Sequence, residues 1–178
     1  MRIISGMRKG LKLNAPEGFD TRPTTDRVKE SVFNIIQFAV PCDECLDLFA
    51  GSGALGIEAL SRGSEHCVFV DGNPRAGEIV KSNLSLANFS DKSDVIISDA
   101  LTYLDRCSRE FDIIFLDPPY NKGFLEPVIS KIYEKQLLKN DGLIVIETER
   151  GGELPPDGFY RIRKTANYGK TTITILQR

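Results

Sequence analysis

The stretch Cys45-Leu46-Asp47-Leu48-Phe49-Ala50-Gly51-Ser52-Gly53-Ala54-Leu55-Gly56 decides the fold. Its first half is a short apolar run, which is typical of a buried strand. A turn of small residues follows, and a helical pattern begins after it. Glycines let the backbone approach a ligand closely, and the free N–H groups at the start of a helix face whatever is bound there. The stretch therefore predicts a strand, a loop and a helix that together bind a nucleoside cofactor.

Length and composition indicate one globular domain, since 41% of the 178 residues are hydrophobic. No apolar run approaches the roughly 20 residues needed to span a bilayer, and the first ten residues do not resemble a secretory signal, so we expect a cytoplasmic protein. Cys42, Cys45, Cys67 and Cys107 are expected to be reduced core residues. The isolated C-x-x-C at Cys42 and Cys45 has no second pair, and His66 is the only histidine, so we expect no metal site.

Charge is distributed unevenly along the chain, although the net charge is only −2. Residues 1–29 carry +4 and residues 161–178 carry +5, whereas the residues between them carry −11. Two basic ends on an acidic body favour a nucleic-acid footprint, because neutralising phosphates supplies much of the non-specific affinity for nucleic acid. The alternative is that both ends are simply solvated.

The sequence predicts two parts: a small basic appendage in residues 1–40 and the main domain in residues 41–178. Two strand-like runs, 2–5 and 11–14, flank Gly6-Met7-Arg8-Lys9-Gly10, which predicts a hairpin with a basic tip. Thr25 or Asp26 can then cap a helix that ends near Pro41.

From residue 45 onward, short apolar runs alternate with helical patterns. Strands are predicted at 45–50, 67–70, 95–98, 113–116 and 143–147, with helices near 54–62, 74–88, 100–107 and 123–138. Apolar strands joined by crossover helices predict a parallel, doubly wound α/β sheet. The runs 159–164 and 171–176 have no helix between them, so we expect an antiparallel hairpin to close the sheet.

An acidic residue follows each of the first four strands of this sheet: Asp47, Asp71, Asp99 and Asp117. Ligands of doubly wound sheets bind at the carboxyl ends of the strands, where these side chains would meet. Asp71 lies 20 positions after Gly51, where an acid can accept hydrogen bonds from ribose hydroxyls. Asp99 suits an adenine amino group, although it can equally cap a helix that starts at Ala100. The series as a whole predicts a bound nucleoside.

Gly51-x-Gly53-x-x-Gly56 also matches the dinucleotide fingerprint, so an NAD(P) dehydrogenase has to be considered. Asp47 argues against it, because a negative charge under the loop opposes a pyrophosphate and attracts a cation. S-adenosylmethionine carries a sulfonium and an ammonium group. We therefore expect the methyl donor rather than NAD.

Asp117-Pro118-Pro119-Tyr120 carries the predicted chemistry. The Asp117 carboxylate and the Pro118 carbonyl can accept both N–H groups of an exocyclic amine, which directs its lone pair toward a methyl group. The prolines fix the backbone, and the Tyr120 ring offers a surface on which a flipped base can stack. Methylation at a pyrimidine C5 needs a cysteine nucleophile, and the Pro41-Cys42 pair lies upstream of the cofactor loop. The pattern predicts direct methyl transfer to an amine.

The sequence resembles the bacterial methyltransferases of the RsmD type, which methylate N2 of guanine 966 in 16S ribosomal RNA. The motifs that carry the resemblance extend over essentially the whole chain: Arg2-Ile3-Ile4-Ser5-Gly6, Thr21-Arg22-Pro23-Thr24-Thr25-Asp26-Arg27-Val28-Lys29-Glu30, Phe33-Asn34, Asp47 to Gly56, Ser61-Arg62-Gly63, Asp117 to Tyr120 and Tyr168-Gly169-Lys170-Thr171. The resemblance implies a class I S-adenosylmethionine-dependent methyltransferase fold, a Rossmann-like seven-stranded sheet with an antiparallel last strand.

The resemblance also implies the site residues and the partners. The cofactor residues are Asp47, Phe49, Gly51, Ser52, Gly53, Asp71, Asp99 and Ala100, the catalytic residues are Asp117, Pro118, Pro119 and Tyr120, and the RNA-binding residues are Arg8, Lys9, Lys12, Arg22, Arg27 and Lys170. The substrate would be 16S rRNA in the small ribosomal subunit or in an assembly intermediate, and the enzyme is expected to be a monomer.

Three departures from the family pattern stand out. Ser5 occupies the place of a usual glycine, Lys29 that of an arginine and Asp71 that of a more frequent glutamate. A shorter acid at 71 would weaken a ribose contact, and Lys29 cannot contact a phosphate with two parallel hydrogen bonds as arginine does. Two alternatives stay open: an adenine-N6 methyltransferase acting on DNA or RNA, and a non-catalytic RNA-binding protein.

Overall fold

The computed structural model describes residues 1–15, 26–119, 123–152 and 158–178. Its strands are β1 (Glu44–Leu48), β2 (His66–Asp71), β3 (Ser93–Ile97), β4 (Phe111–Leu116), β5 (Leu138–Glu149), β6 (Arg161–Tyr168) and β7 (Thr171–Gln177). Its α-helices are α1 (Asp26–Ile35), α2 (Ala54–Ser61), α3 (Pro74–Ala87), α4 (Ala100–Arg106) and α5 (Leu125–Glu134). A short 3-10 helix covers Ser90–Lys92.

The strands form one seven-stranded sheet in the order β3-β2-β1-β4-β5-β7-β6. The first five strands in this order pair in parallel, whereas β7 is antiparallel to both β5 and β6. The central strands β1 and β4 are buried almost throughout, which explains their largely apolar sequences. The predicted doubly wound sheet, closed by an antiparallel hairpin, is therefore confirmed.

A hydrophobic core lies on each face of the sheet. One core packs α1, α2 and α3 against the sheet and includes Ile3 and Leu13 from the N-terminus. The other packs α4 and α5 against the opposite face. Side chains alternate between the two cores along each buried strand, so Phe115 belongs to the first core and Ile114 to the second. The position of a residue along a strand thus fixes which set of helices it contacts.

Residues 1–15, which we call the N-terminal arm, turn back on themselves as predicted but pair less regularly than two strands. Arg2 and Lys12 form a single antiparallel bridge. The Ile3 N–H donates to the Leu11 carbonyl (2.9 Å), and the Gly10 N–H donates to the Ile3 carbonyl (2.8 Å). The arm thus forms a narrow hairpin whose tip is residues 6–10. The division of the chain into domains at residue 40 stays a prediction.

The chain's path changes at two of the boundaries that differ from those expected. Helix α1 ends at Ile35, six residues before Pro41, and the chain then turns through the cis Val40–Pro41 peptide. Strand β5 begins at Leu138, five residues earlier than predicted, although Lys139, Asn140 and Asp141 are polar. The first part of β5 joins the sheet through an irregularity in its register with β4, which periodicity does not report. Within the described residues, no helix has both the length and the apolarity to cross a membrane.

Candidate functional site

The carboxyl edge of the sheet carries the loop that follows β1. Gly51 and Gly53 adopt left-handed conformations with φ of 56° and 78°, which favours glycine at both positions. The Phe49 and Ala50 N–H groups both donate to the Val70 carbonyl at 3.0 Å, which ties the loop to the end of β2. Gly56 has a different function, because a Cβ there would lie 2.4 Å from the Phe69 ring. Its lack of a side chain lets α2 pack closely on β2.

Asp47 lies within β1 and not after it as predicted, directly beneath this loop, and is only 2% exposed. Its Oδ2 accepts a hydrogen bond from the Gly56 N–H at 2.9 Å. Burial, opposed in part by this hydrogen bond and reinforced by the charge of Asp71, raises the pKa of Asp47 to about 7. A cation bound nearby would reverse this effect, since it stabilises the ionised carboxylate.

Asp71 ends β2 and shapes the loop directly. Its Oδ2 accepts from the Gly51 N–H and its Oδ1 accepts from the Asn73 N–H, each at 2.8 Å. Each carboxylate oxygen has a second acceptor site, so these bonds leave capacity for a ligand hydroxyl. The structure therefore brings Asp71 to the glycine loop, and its contact with a ribose stays a prediction.

Asp99 caps helix α4, which is the alternative that the sequence left open. Its Oδ1 accepts from the Thr102 N–H at 3.1 Å, while its side chain is exposed. Ala100, the first residue of α4, is buried. Capping uses one of the two carboxylate oxygens, so recognition of an adenine stays a prediction for Asp99.

The predicted catalytic segment follows β4, next to the loop after β1. Asp117 is half-buried, Pro118 is buried and Pro119 is exposed, whereas Tyr120 lies outside the described residues. Burial, together with the negative charges of Glu147 and Asp47, raises the pKa of Asp117 well above its ordinary value. The structure thus groups Asp117 with Asp47 at the centre of the carboxyl edge.

Glu147 is an acid of this site that the sequence analysis missed. Leu116 pairs with Ile146, so Glu147 lies beside Asp117 on the neighbouring strand β5. It is only 5% exposed. The available signal was a glutamate in the otherwise apolar run Leu143-Ile144-Val145-Ile146. Three acids from three adjacent strands give the middle of the edge a strongly negative character.

Two aromatic rings meet beside these acids. The Phe49 and Phe124 ring centroids are 5.7 Å apart, with the planes tilted by 52°. Phe49 has a φ of 77°, an unusual conformation for a residue with a side chain, and it directs the backbone into the glycine loop. Phe124 precedes α5 and was not predicted. The pair joins the loop after β1 to the segment after β4.

Asn83 of α3 was also missed, and it connects the N-terminal arm with the glycine loop. Its Oδ1 accepts from the Asn14 N–H (2.8 Å), and its Nδ2 donates to the carbonyls of Asn14 (3.0 Å) and Ser52 (2.9 Å). Asn83 is fully buried, so each of these bonds replaces lost hydration. Nothing in the local sequence indicates these partners, which lie 69 and 31 positions away.

The predicted RNA-binding residues do not form one cluster. Lys170 lies at the carboxyl edge, because its carbonyl accepts from the Arg150 N–H at the end of β5 (2.8 Å). Arg8 lies at the other end of the strands, where the parallel strands begin. Its Nε–H donates to the Ala87 carbonyl at the end of α3 (2.8 Å). Lys9, the next residue in the tip of the arm, lies at the same end of the strands as Arg8. Lys9, Lys12, Arg27 and Lys170 are exposed, and Arg22 lies outside the described residues.

Lys29 does not occupy a position where it can contact a phosphate, so comparing it with a phosphate-binding arginine was wrong. Its side chain is fully buried, 3.2 Å from the Glu58 carboxylate. Its Nζ also donates to the Arg2 carbonyl at 2.6 Å. Burial lowers the pKa of Lys29, and Glu58 opposes this effect. The charge of Lys29 therefore acts inside the protein.

The four cysteines are free thiols, and three of them are buried. The hydrogen bond to the Cys45 thiol and, next, burial raise the pKa of Cys42, which disfavours the nucleophilic thiolate form. Among the described residues, no group of three or more His, Cys, Asp or Glu side chains is arranged to hold a metal ion.

Comparison with known proteins shows the family to which the chain belongs. Residues 1–177 match the family described as Conserved hypothetical protein 95. YlbH of Bacillus subtilis (strain 168), provisionally named an rRNA methyltransferase, is 46% identical over 100% of this chain and 99% of its own length. The ribosomal RNA small subunit methyltransferase D of Haemophilus influenzae is 40% identical over 99% of this chain and 93% of its own length.

Solved structures show the same fold. The protein yhhF of Escherichia coli superposes with a TM-score of 0.87 at 33% identity, covering 100% of this chain and 97% of that one. An RNA methyltransferase of Salinibacter ruber, solved with S-adenosyl-L-homocysteine, superposes with a TM-score of 0.69 at 16% identity over 88% of this chain and 93% of that one. The predicted class I methyltransferase fold and the predicted resemblance are both confirmed. The chain belongs to the Conserved hypothetical protein 95 family and is a relative of the ribosomal RNA small subunit methyltransferases D.

Proposed function

We propose that this protein transfers a methyl group from S-adenosyl-L-methionine to the exocyclic N2 amine of a guanine in 16S rRNA, the guanine 966 type of reaction. The observation that carries the proposal is the position of Asp117 and Pro118, which follow β4 on the strand next to the glycine loop of β1. The relatives named as rRNA methyltransferases support an rRNA substrate. The choice of N2 of guanine rests on the methyltransferase D relatives and on the motifs.

The methyl donor is proposed to bind over the glycine loop, with Asp47, Asp71 and Asp99 beneath and beside it. The donor's sulfonium and ammonium groups are cations, and the buried carboxylates of Asp47 and Glu147 make the centre of the edge negative. A bound cation lowers the pKa of Asp47 and Asp117, so binding would release protons near neutral pH. Phe49, Gly51, Ser52, Gly53 and Ala100 complete the proposed cofactor contacts.

The proposed reaction is a direct displacement. The Asp117 carboxylate and the Pro118 carbonyl accept the two N–H groups of the amine, and the amine lone pair attacks the methyl carbon. A C–N bond forms as the C–S bond breaks, and the sulfur keeps that electron pair to give neutral S-adenosylhomocysteine. The methylated nitrogen then loses one proton to Asp117, whose raised pKa suits it as an acceptor. Pro119 and Tyr120 would hold the base in place.

An adenine-N6 methyltransferase remains the second candidate, because acceptors at Asp117 and Pro118 serve any exocyclic amine. In either case the substrate RNA would contact exposed cations, among them Lys9, Lys12, Arg27 and Lys170. The proposed partner is 16S rRNA in the small subunit or in an assembly intermediate, and the proposed state is a monomer.

Transfer of a labelled methyl group tests the proposal. Purified protein is incubated with labelled S-adenosylmethionine and small ribosomal subunits from cells that lack the gene, and the RNA is digested to nucleosides. N2-methylguanosine at one position is the expected product. N6-methyladenosine as the product would support methyl transfer to an exocyclic amine but would contradict guanine N2 as the target. No transfer to subunits, naked 16S rRNA or DNA would overturn the enzymatic function itself.

A further inference from the structure

Strand β6 is a basic strand that forms one edge of the sheet in the described part of the chain. It comes last in the strand order, and most of its side chains are exposed. Arg161, Arg163 and Lys164 are among the exposed residues, and Lys170 follows in the turn to β7. The sequence from residue 158 to 178 contains no aspartate or glutamate. This surface, which we call the β6 surface (Arg161, Arg163, Lys164 and Lys170), therefore presents positive charge without acidic neighbours in its own segment.

The cations of the β6 surface also differ in their pairing from several cations elsewhere in the described chain. Lys81, Lys92 and Arg109 each form an ion pair with a nearby acid, at 2.9, 3.5 and 2.8 Å. Within the described parts of the chain, no ion pair involves a residue of the β6 surface. A cation without an acidic partner keeps its full attraction for an external anion. The β6 surface is therefore ready to bind an anionic partner without first breaking an internal pair.

The register of β6 arranges these cations in space. Arg161 pairs with Gln177 and Lys164 with Ile175, while the register shifts between Ile162 and Lys164. Directly paired residues of antiparallel strands share a face, so Arg161 and Lys164 lie on the face of the sheet that carries Ile175. Arg163 is the extra residue at the irregularity, which locally twists the strand. The cations thus follow the length of the strand instead of pointing to one spot.

The β6 surface begins beside the proposed active site. The turn with Lys170 lies at the carboxyl edge, as does Asp117. Strand β6 is three strand positions from β4, which corresponds to about 14 Å. That distance is within reach of the nucleotides that flank a base held at Asp117. A polynucleotide bound at the site can therefore extend along β6.

We propose that the β6 surface binds the phosphate backbone of the substrate RNA next to the target nucleotide. This inference rests on the proposed function, which supplies the nucleic acid. An added protein strand is the other occupant that an open sheet edge can accept. Charge favours RNA, since lysines and arginines on an edge strand discourage strand pairing and attract phosphates. The β6 surface would then hold the RNA while Asp117 and Pro118 hold the base.

A triple variant tests this proposal: Arg161→Gln, Arg163→Gln and Lys164→Gln in the full-length protein. The matched control is Lys81→Gln, Lys92→Gln and Arg106→Gln, which removes the same charge from two exposed residues and one half-buried residue on the elements that flank β3 in the sequence. Binding of naked 16S rRNA and of small subunits is measured from 50 to 300 mM salt, together with methyl transfer and binding of the methyl donor. Melting temperatures establish that both variants fold.

The expected result is an RNA affinity lower by about 10- to 100-fold at physiological salt, with a salt slope smaller by about 2 to 3. Turnover at saturating RNA and methyl-donor affinity should match the control. RNA affinity and salt slope equal to those of the control would overturn the proposal. So would a loss confined to subunits, because it would indicate a ribosomal protein on this edge. If the wild type binds RNA through these residues but transfers no methyl group, the proposed function is wrong, whereas RNA binding by the β6 surface is supported.

Discussion

The two basic ends of the chain look alike in charge and differ in what that charge does. In the N-terminal arm and α1, Arg2 pairs with Asp26 at 3.1 Å, and Lys29 pairs with Glu58 inside the protein. Arg8 donates to the end of α3, where a cation also meets the negative end of the helix dipole. In β6, the cations are exposed and without acidic partners among the described residues. One end therefore uses much of its charge to fold, whereas the other leaves its charge exposed to solvent.

Glu58 explains why the arm is part of the folded body. Its carboxylate accepts from the N–H groups of Ile4 (2.8 Å) and Ser5 (3.0 Å). It also pairs with Lys29 and with Arg62, at 3.2 and 2.9 Å. Four donors thus surround one fully buried carboxylate. Counting charges along the sequence cannot separate this network from a surface that binds RNA.

The largest expected effect comes from Glu58→Gln. An amide cannot neutralise Lys29, so the variant leaves a buried ammonium without its counter-charge, and the free energy of unfolding should fall by about 3 to 5 kcal/mol. Glu78→Gln is the control, since it removes an exposed pair with Lys81 and should cost less than about 1 kcal/mol. Urea denaturation measures both. A small loss for Glu58→Gln would mean that the arm is not anchored as described.

Asp47 in the candidate site contrasts with Glu58, because Asp47 is buried beside other acids and Glu58 is buried beside cations. Its folded pKa of about 7 exceeds the unfolded value of 3.8, so the folded state binds more protons between these values. Without the methyl donor, stability should therefore fall as pH rises from about 4 to about 7, by on the order of 4 kcal/mol for this group. The raised pKa of Asp117 should likewise make the folded state less stable as pH rises.

Urea denaturation at a series of pH values measures this dependence, with Asp47→Asn for comparison. The difference in unfolding free energy between wild type and Asp47→Asn should change steadily between about pH 4 and about pH 7 and level off at higher pH. Saturating S-adenosylmethionine should stabilise the wild type more at pH 8 than at pH 5. A difference that does not vary with pH would contradict the burial of an uncompensated carboxyl group at this position.

Two glycines give a matched pair of substitutions in the two ends. Gly6 in the arm and Gly169 in the β6–β7 turn both have positive φ, of 82° and 62°. A Cβ at Gly6 would lie 1.8 Å from the Ser61 carbonyl oxygen, whereas none of the heavy atoms described near Gly169 is within 4 Å. Gly169→Ala should cost about 1 kcal/mol from the backbone alone. Gly6→Ala should cost clearly more because the arm must move, and equal losses would argue against close packing of the arm on α2.

A smaller loss of stability than that of Glu58→Gln is expected for Asn83→Leu, which keeps a side chain of similar size and removes three hydrogen bonds. Unfolding free energy should fall by about 1 to 3 kcal/mol. Affinity for S-adenosylmethionine should also fall several-fold, because the Ser52 carbonyl loses the donor that fixes the loop. Ser82→Ala, at an exposed position beside Asn14, is the control. Calorimetry with the methyl donor distinguishes a loosened loop from a general loss of stability, which would leave affinity unchanged at low temperature.

Sequence reasoning succeeded where local pattern determines structure. The apolar runs, the glycines around Gly51 and the acid near the end of each strand predicted the sheet and the edge at which Asp47, Asp71 and Asp117 meet. It failed where contacts join distant residues. Asn83 and Glu147 depend on helix packing and on strand register, and the position of Arg8 depends on the path of the arm along α2. These contacts carry no periodic signal that a single sequence can display.

The central claim is that chemistry belongs to Asp117 while the basic β6 strand only holds RNA. Single-turnover methyl transfer by Asp117→Ala tests it most directly, alongside the β6 triple variant and Glu149→Gln, which alters an exposed acid near the same edge. Asp117→Ala should slow transfer by about 100- to 1,000-fold with little change in RNA or methyl-donor affinity, whereas the β6 variant should change RNA affinity alone. Near-normal transfer by Asp117→Ala at saturating RNA and methyl donor would contradict the account.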